Sequence, residues 1–513
     1  MSQDVQSYPL YSAEEVRNLD HDAITTAGIP GFELMKRAGE AAFRLIQSRW
    51  PGLRKCLILC GPGKNGGDGY ILAARLIQAG YDVLVYASCP ANQIAGDARK
   101  AMELALNKGV RVRRRGPIQW GNTQLVVDAL LGTGISRKVR GKSLDLITQT
   151  NKSDIPVLSV DIPSGIHPDT GQPMGSAVKA TVTLSFVGQK KGLFTGAGRE
   201  YAGTILFDRL GIPDEVYNRY SDPILRLDAS LLDIPCLAPR PRYSHKGQFG
   251  HVLIIGGDTG MPGSVQLSAL AALRAGAGLV TVATRAAHAS LIPTVHPEVM
   301  CHGVESSADL KPLLDKADVL VIGPGMGLSP WSKGVFNCFL RHAKIPSLVD
   351  AGGLRLLADA EHPVDVPMIL TPHPGEMACL LRCNSSEVEA DRYSAIILAG
   401  QKYRSDLVLK GAGTLMTNEK EIRVCDAGNP GMSVAGMGDL LTGLIAGLIA
   451  QGCTSWQAVQ LGVLIHAVAA DEICHETGEK GMMASDMLES IRCLVNRITR
   501  GRVAGNDISD NQD

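Results

Sequence analysis

The chain has 513 residues, 45% of them hydrophobic and 20% charged, and its 51 basic side chains balance 51 acidic ones. This length predicts two or three globular domains. The zero net charge and the aromatic content of 4% argue against nucleic acids and membranes as partners. The 12 cysteines form no Cys-x-x-Cys pair and the N-terminus carries no signal-peptide pattern, so we expect reduced thiols and a cytoplasmic location.

The first half of the chain alternates strand-like and helix-like segments. Residues 56–60 form an apolar run that predicts a buried strand, and helical spacing follows at 70–79. Further strands are predicted at 83–86, 125–127, 157–160 and 181–186. Continuous apolar strands separated by helices predict a parallel sheet that is covered on both faces.

Acidic residues occur at the ends of three of these predicted strands. Asp68 follows the first, Asp128 closes the 125–127 run, and Asp161 follows residue 160, with Ser164 close behind. Ligands of parallel sheets bind beyond the carboxyl ends of the strands. These groups therefore predict a site for a cation and a phosphate-bearing ligand, although each Asp could instead cap a helix or turn.

A proline-punctuated stretch at 213–245, with Pro235, Pro239 and Pro241, predicts a linker. The periodic pattern resumes at 251–255 and continues at 279–283, 318–323, 346–350 and 368–370, which predicts a second α/β domain. The predicted domains are residues 1–220 and 221–505.

Two glycine-rich loops lie late in the second half. Residues 410–414 follow the strand-like run 407–409, and residues 429–438 lead through glycines to Asp439 and an apolar helix. Glycine lets a backbone approach a ligand closely, and the free N–H groups of a helix start favour anions. The two loops together predict nucleotide binding, while ordinary turn and cap residues are the structural alternative.

Four motifs of the first half occur in a distinctive order: Leu-Met-Lys-Arg-Ala-Gly at 34–39, Asn-Gly-Gly-Asp-Gly at 65–69, Asp-Ala-Leu-Leu-Gly-Thr-Gly at 128–134 and Val-Asp-Ile-Pro-Ser-Gly at 160–165. By these motifs, residues 9–215 resemble the YjeF N-terminal family, the NAD(P)HX epimerases. The resemblance implies a Rossmann-like three-layer sandwich that interconverts the R and S forms of hydrated NADH and NADPH (NADHX and NADPHX). It also implies a bound potassium ion.

The same resemblance implies the functional residues of the first half. Its potassium ligands would be Asn65, Asp128 and Ser164. Asp161 lies among the substrate contacts and is our first candidate for acid–base catalysis, with Asp68 second. The family commonly has Asn at the position of Lys64. The residues that would line the substrate are Lys64, Asn65, Gly66, Gly67, Asp68, Gly132, Thr133, Gly134, Ile135, Ser136, Arg137, Lys138 and Asp161.

The second half carries its own motifs, which include His-Lys-Gly at 245–247, Gly-Pro-Gly at 323–325, Thr-Pro-His-Pro-Gly-Glu at 371–376 and the two glycine loops. By these, residues 235–500 resemble the ADP-dependent NAD(P)HX dehydratases, which implies a ribokinase-like α/β domain. Both domains in one chain match a bifunctional enzyme, an isomerase and a lyase that together repair hydrated cofactors. Such domains often assemble, so we expect a homo-oligomer.

The resemblance also implies the chemistry of the second half. ADP would donate a phosphoryl group, giving AMP and phosphate, with magnesium as the metal. Asp439 lies where the wider fold has its catalytic carboxylate, and Gly325, His373 and Asp439 would contact the hydrated cofactor. The residues that would bind ADP are Lys410, Gly411, Ala412, Gly413, Thr414, Asn429, Pro430, Gly431, Met432, Ser433, Val434, Ala435, Gly436, Met437 and Gly438.

Three other functions are compatible with parts of the pattern. A ribokinase-class small-molecule kinase fused to a nucleotide-binding module is the strongest, although the His-Pro-Gly-Glu segment at 373–376 argues against it. A nucleotide sensor without turnover is the second. A nicotinamide dehydrogenase is the third, because Gly61-x-Gly63-x-x-Gly66 matches a dinucleotide fingerprint.

Overall fold

A computed structural model describes residues 9–220, 224–227, 237–360 and 368–506, with side chains described as far as residue 497. The chain forms two compact units, one of Tyr8–Leu225 and one that contains Arg226–Asp513. Part of the predicted linker, including Pro235, lies outside the described residues. Its described part contains a one-turn helix and a three-residue strand, which are too short to give a periodic pattern.

The first unit is built from short strands and helices that alternate along most of its length. In chain order they are β1 (Pro9–Tyr11), α1 (Ala13–Thr25), α2 (Gly31–Arg49), β2 (Lys55–Cys60), α3 (Lys64–Gln78), β3 (Asp82–Ala87), α4 (Gly96–Asn107), β4 (Arg111–Arg113), β5 (Leu125–Ala129), α5 (Gly141–Asn151), β6 (Val157–Val160), β7 (Val182–Phe186), β8 (Gln189–Lys190), α6 (Ala197–Ala202), β9 (Thr204–Asp208), α7 (Asp214–Tyr217) and β10 (Ile224–Arg226).

The sheet of the first unit is parallel and has the order β4-β3-β2-β5-β6-β7-β9. Alternate residues of β2 enter different cores, because successive side chains of a strand point to opposite faces. Ile58 packs with residues of α2, α3 and α4, whereas Leu57 and Leu59 pack with Leu146 of α5. The predicted three-layer sandwich is therefore confirmed.

Helix α3 begins at Lys64, six residues before the start predicted from apolar spacing. The Asn-Gly-Gly-Asp motif is therefore the first turns of a helix rather than a loop. Glycine is a poor helix former, which is why apolar spacing shows no helix there. Close packing nevertheless requires glycine at these positions. A Cβ on Gly66 would overlap the Gly61 carbonyl, and a Cβ on Gly67 would meet Met35.

The second unit continues the alternation of strands and helices. Its elements are β11 (His251–Ile255), α8 (Pro262–Ala275), β12 (Leu279–Thr284), α9 (Leu291–Val295), β13 (Met300–Gly303), α10 (Ser307–Leu314), β14 (Val319–Ile322), α11 (Pro330–His342), β15 (Ser347–Val349), α12 (Ala351–Ala358), β16 (Met368–Leu370), α13 (Pro374–Leu381), α14 (Ser385–Ala390), α15 (Arg392–Tyr403), β17 (Asp406–Leu409), β18 (Thr414–Thr417), β19 (Ile422–Cys425), α16 (Met437–Ala450), α17 (Ser455–Thr477) and α18 (Met487–Asn506).

The sheet of this unit has the order β13-β12-β11-β14-β15-β16-β17-β18-β19. It is parallel as far as β17, and β18 and β19 then add antiparallel pairs. The predicted strands from residue 251 to residue 409 are confirmed. All the parallel strands end at one edge, so the Gly-Pro-Gly segment at 323–325 after β14 and the 410–414 loop after β17 lie along the same edge of the sheet.

Two apolar helices form the centre of the second core. Helix α16 packs directly on α8, since a Cβ on Gly443 would overlap the Ser268 carbonyl and one on Gly447 would meet Ala272. Helix α17 is long and apolar enough to cross a membrane by length and composition, and 56% of its apolar window is buried in the protein. Cys453, between the two helices, is disulfide-bonded, so the expectation of reduced thiols is wrong there.

Candidate active sites

An oxygen-rich cluster lies at the carboxyl ends of β2, β5 and β6. Asp128 is fully buried, and its Oδ2 accepts hydrogen bonds from Ser159 Oγ (2.9 Å) and the Ser164 N–H (2.8 Å). Asn65 Nδ2 donates to the Leu131 carbonyl (2.9 Å), and Ser164 Oγ donates to the same oxygen (3.2 Å). The structure thus brings together the three side chains predicted to hold potassium.

Two features of this cluster fit a cation. The buried Asn65 Oδ1 has no hydrogen-bond partner, which normally costs about 1–3 kcal/mol. Burial raises the pKa of Asp128, and within the described residues no basic side chain pairs with it. A cation bound by these oxygens would satisfy the amide and neutralise the carboxylate.

Asp161 lies beside this cluster in a strained backbone conformation. It follows β6 with φ at 68°, a region that a non-glycine residue seldom adopts and that is often found at functional sites. Its Oδ1 accepts hydrogen bonds from the Phe186 N–H (3.1 Å) and from Lys190 Nζ. Lys190 is fully buried, and sequence reasoning missed it, because the Lys-Lys pair at 190–191 looks like a solvated turn.

Asp68 faces Asp161 from helix α3. Burial, followed by the charges of Asp161 and Asp20, raises the pKa of Asp68 well above its usual range. Lys64 begins the helix as an exposed side chain and pairs with Asp20. The structure therefore places both predicted acid–base candidates together, with Asp68 favouring its neutral form.

The segment 132–138, predicted to line the substrate, follows β5 along the same edge of the sheet. Gly132 approaches Asn65, where an added Cβ would be in ordinary contact at 3.4 Å. Residues Gly134 and 136–138 are exposed. The segment begins at the oxygen-rich cluster and runs out to the surface.

In the second unit, a partly buried lysine stands at the centre of a carboxylate cluster. Lys410 follows β17, and its Nζ lies 2.8 Å from Asp350 Oδ1 and 3.7 Å from Glu376 Oε2. Thr442 of α16 donates to Asp350 Oδ2 at 2.8 Å. Burial disfavours the charged ammonium and by itself lowers the pKa of Lys410. The charges of Asp350 and Glu376 outweigh this effect and raise the pKa.

Asp439 lies in the first turn of α16, close to this cluster. Burial and the charge of Asp350 raise the pKa of Asp439 to about 6, opposed by a hydrogen bond from Ser264 and by Lys410. Ser268 Oγ also donates to the Asp439 carbonyl at 2.7 Å. A carboxylate with a pKa near neutrality is suited to accept a proton from a substrate hydroxyl.

The two glycine loops are held by side chains that sequence reasoning missed. Arg392, buried on α15, donates to the carbonyls of Leu409 (3.2 Å) and Lys410 (3.1 Å) and so fixes the first loop. Asp471 of α17 accepts from Asn429 Nδ2 at 2.9 Å. Isolated charged residues on apolar helices gave no sequence signal that they reach these loops.

The second loop ends at the start of α16. Asn429 Oδ1 accepts from the Gly431 N–H at 3.0 Å, and residues 433–435 are exposed. Gly436, at φ 91°, turns the chain into the helix, whose first residues are Met437 and Gly438. The N–H groups of the first turn of a helix have no intrahelical partner, so here they are available to an anion.

Two further residues were predicted to contact the substrate. Ser264 lies against Gly325 and hydrogen-bonds Asp439, so the structure brings Gly325 and Asp439 together. His373 is half-exposed and caps α13, with Nδ1 accepting from the Gly375 N–H at 3.0 Å. It reaches the cluster through Glu376, which lies 3.4 Å from His373 Nε2.

Replacing Gly411 by Ala should weaken ADP binding about tenfold. Gly411 has φ 136°, and a Cβ there would lie 3.0 Å from Arg392 Nη1, so the loop would shift at a cost of about 1–3 kcal/mol. Calorimetric titration with ADP and magnesium measures the change. The matched control is Gly334→Ala in α11, where a Cβ meets nothing within 4 Å, and this variant should bind ADP normally. Equal affinities of the two variants for ADP would contradict the role of the loop.

Comparison with known proteins gives consistent matches for both units. A family profile described as NAD(P)H-hydrate dehydratase matches residues 252–492, and one described as YjeF-related protein N-terminus matches residues 31–192. Two solved structures, a hypothetical protein of Streptococcus mutans and a ribokinase-like superfamily protein of Enterococcus faecalis, are 28% and 26% identical with TM-scores of 0.50 each. They cover 53% and 54% of this chain and 99% and 96% of their own.

Relatives that match the whole chain include two bacterial proteins named bifunctional NAD(P)H-hydrate repair enzyme. The protein of Coxiella burnetii is 43% identical over 492 residues, which cover 95% of this chain and 99% of the relative. The protein of Escherichia coli is 38% identical over 493 residues, which cover 95% and 94%. The chain therefore belongs to the family of bifunctional NAD(P)H-hydrate repair enzymes, in which an epimerase domain and a dehydratase domain lie in one polypeptide.

Proposed function

We propose that the second unit dehydrates S-NAD(P)HX with ADP as the phosphoryl donor, and that its active site is the cluster around Asp439. The observation that carries this proposal is the position of Asp439, which has a pKa of about 6 and stands beside Lys410 at the start of α16. The base and the free N–H groups thus lie in one helical turn, and the ammonium of Lys410 lies against that turn, since a Cβ on Gly438 would be 3.1 Å from Lys410 Nζ. Such a combination serves phosphoryl transfer to a hydroxyl group.

Hydroxide is a poor leaving group, so phosphorylation of the hydroxyl makes its loss easier. Asp439 takes the proton from the C6 hydroxyl, whose oxygen bonds to the terminal phosphorus of ADP as the bond to AMP breaks. The C6–O bond then breaks with its electron pair leaving on phosphate, and the neighbouring ring carbon loses a proton. The products are NAD(P)H, AMP and phosphate.

The remaining predicted residues have supporting roles in this proposal. The 410–414 loop and residues 429–438 bind ADP, and Gly325 and His373 position the hydrated ring. Among the described residues no group of three or more His, Cys, Asp or Glu is arranged to hold a metal. This fits magnesium that enters bound to the nucleotide phosphates and neutralises their charge.

Product analysis tests this function directly. S-NADPHX incubated with ADP and magnesium should give NADPH, AMP and phosphate in equal amounts. ATP consumption with accumulation of a stable phosphorylated product would instead indicate a small-molecule kinase.

The first unit supports epimerisation of R- and S-NAD(P)HX at the edge formed by Asp161 and Asp68. Asn65, Asp128 and Ser164 would hold potassium, which would supply a fixed positive charge next to the substrate-lining segments. We assign the epimerase to residues 1–220 and the dehydratase to 221–505. A homo-oligomer in the cytoplasm stays a prediction.

Potassium should stabilise the protein, and Asn65→Ala should remove this effect. Ligand that binds only the folded state adds about 1–3 kcal/mol at concentrations well above its Kd. Thermal unfolding in KCl and in LiCl of equal ionic strength measures the difference. The matched control is Asn151→Ala, which loses hydrogen bonds to Ala177 and Lys179 but should keep the potassium response. Equal unfolding temperatures of the unaltered protein in the two salts would contradict the site.

A further inference from the structure

Lys190 is the least expected charged group in the first unit, because its side chain is fully buried. A buried ammonium is costly unless it is paired and hydrogen-bonded. Its Nζ donates to Asp161 Oδ1, to the Phe186 carbonyl (2.9 Å) and to Ser185 Oγ (3.3 Å). All three donor positions of the ammonium are thus used inside the protein.

These contacts also orient the Asp161 carboxylate. Both donors that reach it, Lys190 Nζ and the Phe186 N–H, bind the same oxygen, Oδ1. Within the described residues no hydrogen bond reaches Oδ2. Asp161 keeps 18% of its side chain exposed, so one oxygen is anchored and the other is available to a ligand.

Asp68 complements Asp161 in charge. Its neutral form is favoured by burial and by the charges of Asp161 and Asp20, against the opposing charges of Lys64 and Lys190. A neutral carboxyl group beside a second carboxyl group can give a proton while the other group accepts one.

We propose that Lys190 is a positioning residue of the epimerase, which anchors Oδ1 of Asp161 so that Oδ2 can accept a proton from the substrate, with Asp68 as the proton donor. The inference rests on the proposed epimerase function of this site. Asp161 accepts the proton of the C6 hydroxyl as the C6–N1 bond breaks to give an aldehyde, and Asp68 gives a proton to N1. The aldehyde rotates about the C5–C6 bond, N1 attacks its other face, and the two protons return to their donors, which completes inversion at C6. No proton is consumed and no oxidant or reductant is needed.

Lys190→Met tests the proposal with a side chain of similar length and no charge. Conversion of purified R-NADPHX to the S form should lose about 10²–10³-fold in kcat, with KM changed much less. Lys190→Arg, which keeps the charge, should recover part of the rate.

The matched control is Lys179→Met, an exposed lysine that pairs with Glu200 on the surface and should leave epimerisation unchanged. Dehydration of S-NADPHX by each variant reports folding of the second unit, and circular dichroism reports the fold of the whole chain. An unchanged kcat in folded Lys190→Met would overturn the inference. If the unaltered protein does not epimerise at all, the proposed function itself fails, and the two failures are thus distinguishable.

A second variant keeps the proposal testable if Lys190→Met does not fold. Asp68→Asn should lower the rate and remove the alkaline side of the pH–rate profile, as loss of a proton donor requires. Removal of the acid side instead would make Asp68 the base and would overturn the assignment.

Discussion

Replacing Asp439 by Asn should reduce dehydration of S-NADPHX by about 10²–10⁴-fold, the usual contribution of a positioned general base. The amide keeps the size of the side chain but cannot take the hydroxyl proton. The N–H groups at the start of α16 and Lys410 remain, so ADP should bind with an affinity within about threefold of normal. Single-turnover kinetics measure the chemical step, and calorimetry measures ADP binding.

The pH dependence distinguishes a catalytic role of Asp439 from a structural one. Because its pKa is about 6, the rate in the unaltered protein should rise as the pH increases through 6, and Asp439→Asn should lack this rise. Asp309→Asn in α10, an exposed capping carboxylate, is the matched control and should keep the normal profile. A normal rate in Asp439→Asn would remove Asp439 from the mechanism.

Stability should change in the opposite direction to activity. The pKa of Asp439 is raised on folding, so the folded protein binds more protons than the unfolded chain and loses stability as the pH rises from about 4 to 6. At pH 7 Asp439→Asn should therefore be more stable, by on the order of 1–2 kcal/mol after allowing for partial exposure. A destabilised variant would contradict this electrostatic account.

Replacing Asp161 by Asn should separate the two activities. Asn tolerates the φ of 68° better than other residues and still offers an oxygen to Lys190, so the backbone should be kept. The amide cannot act as a base, and we expect conversion of R-NADPHX to fall by about 10²–10⁴-fold. Dehydration of S-NADPHX should be unchanged. Time courses with each purified isomer measure both effects.

The control for this variant is Asp145→Asn, an exposed change on α5 of the same unit. It should leave the use of both isomers unchanged. Loss of dehydration of the S isomer in Asp161→Asn would show that the two activities are not divided between the two units as proposed.

The fold class and the enzyme family were predictable from the sequence, because both depend on local patterns. Apolar runs such as 56–60 and 251–255 give the strands, and their alternation with helical spacing gives the parallel sheets. Motifs at strand ends gave the family, and the matches to bifunctional repair enzymes confirm it. The predicted start of α3 was wrong by six residues, because close packing of Gly66 on Gly61 and of Gly67 on Met35 overrides the poor helix propensity of glycine.

The candidate sites were predictable in part. Asp439, Asp161 and the oxygen-rich cluster of the first unit lie where strand and helix ends predict them. Lys190, Arg392, Asp350 and Asp471 were missed, although each holds a predicted residue in place. These side chains act across long sequence separations, and pairing at that range is set by tertiary packing, for which a single sequence carries no periodic signal.

One measurement tests the central claim, that epimerase and ADP-dependent dehydratase cooperate in one chain. A mixture of R- and S-NADPHX is incubated with the full-length protein, ADP, magnesium and potassium, and the near-ultraviolet absorbance of reduced nicotinamide is followed. The account predicts that the unaltered protein converts the whole mixture to NADPH. With Asp161→Asn, formation of NADPH should stop when the S isomer is used up. Absence of recovery with ADP, or no difference between Asp161→Asn and the unaltered protein, would contradict it.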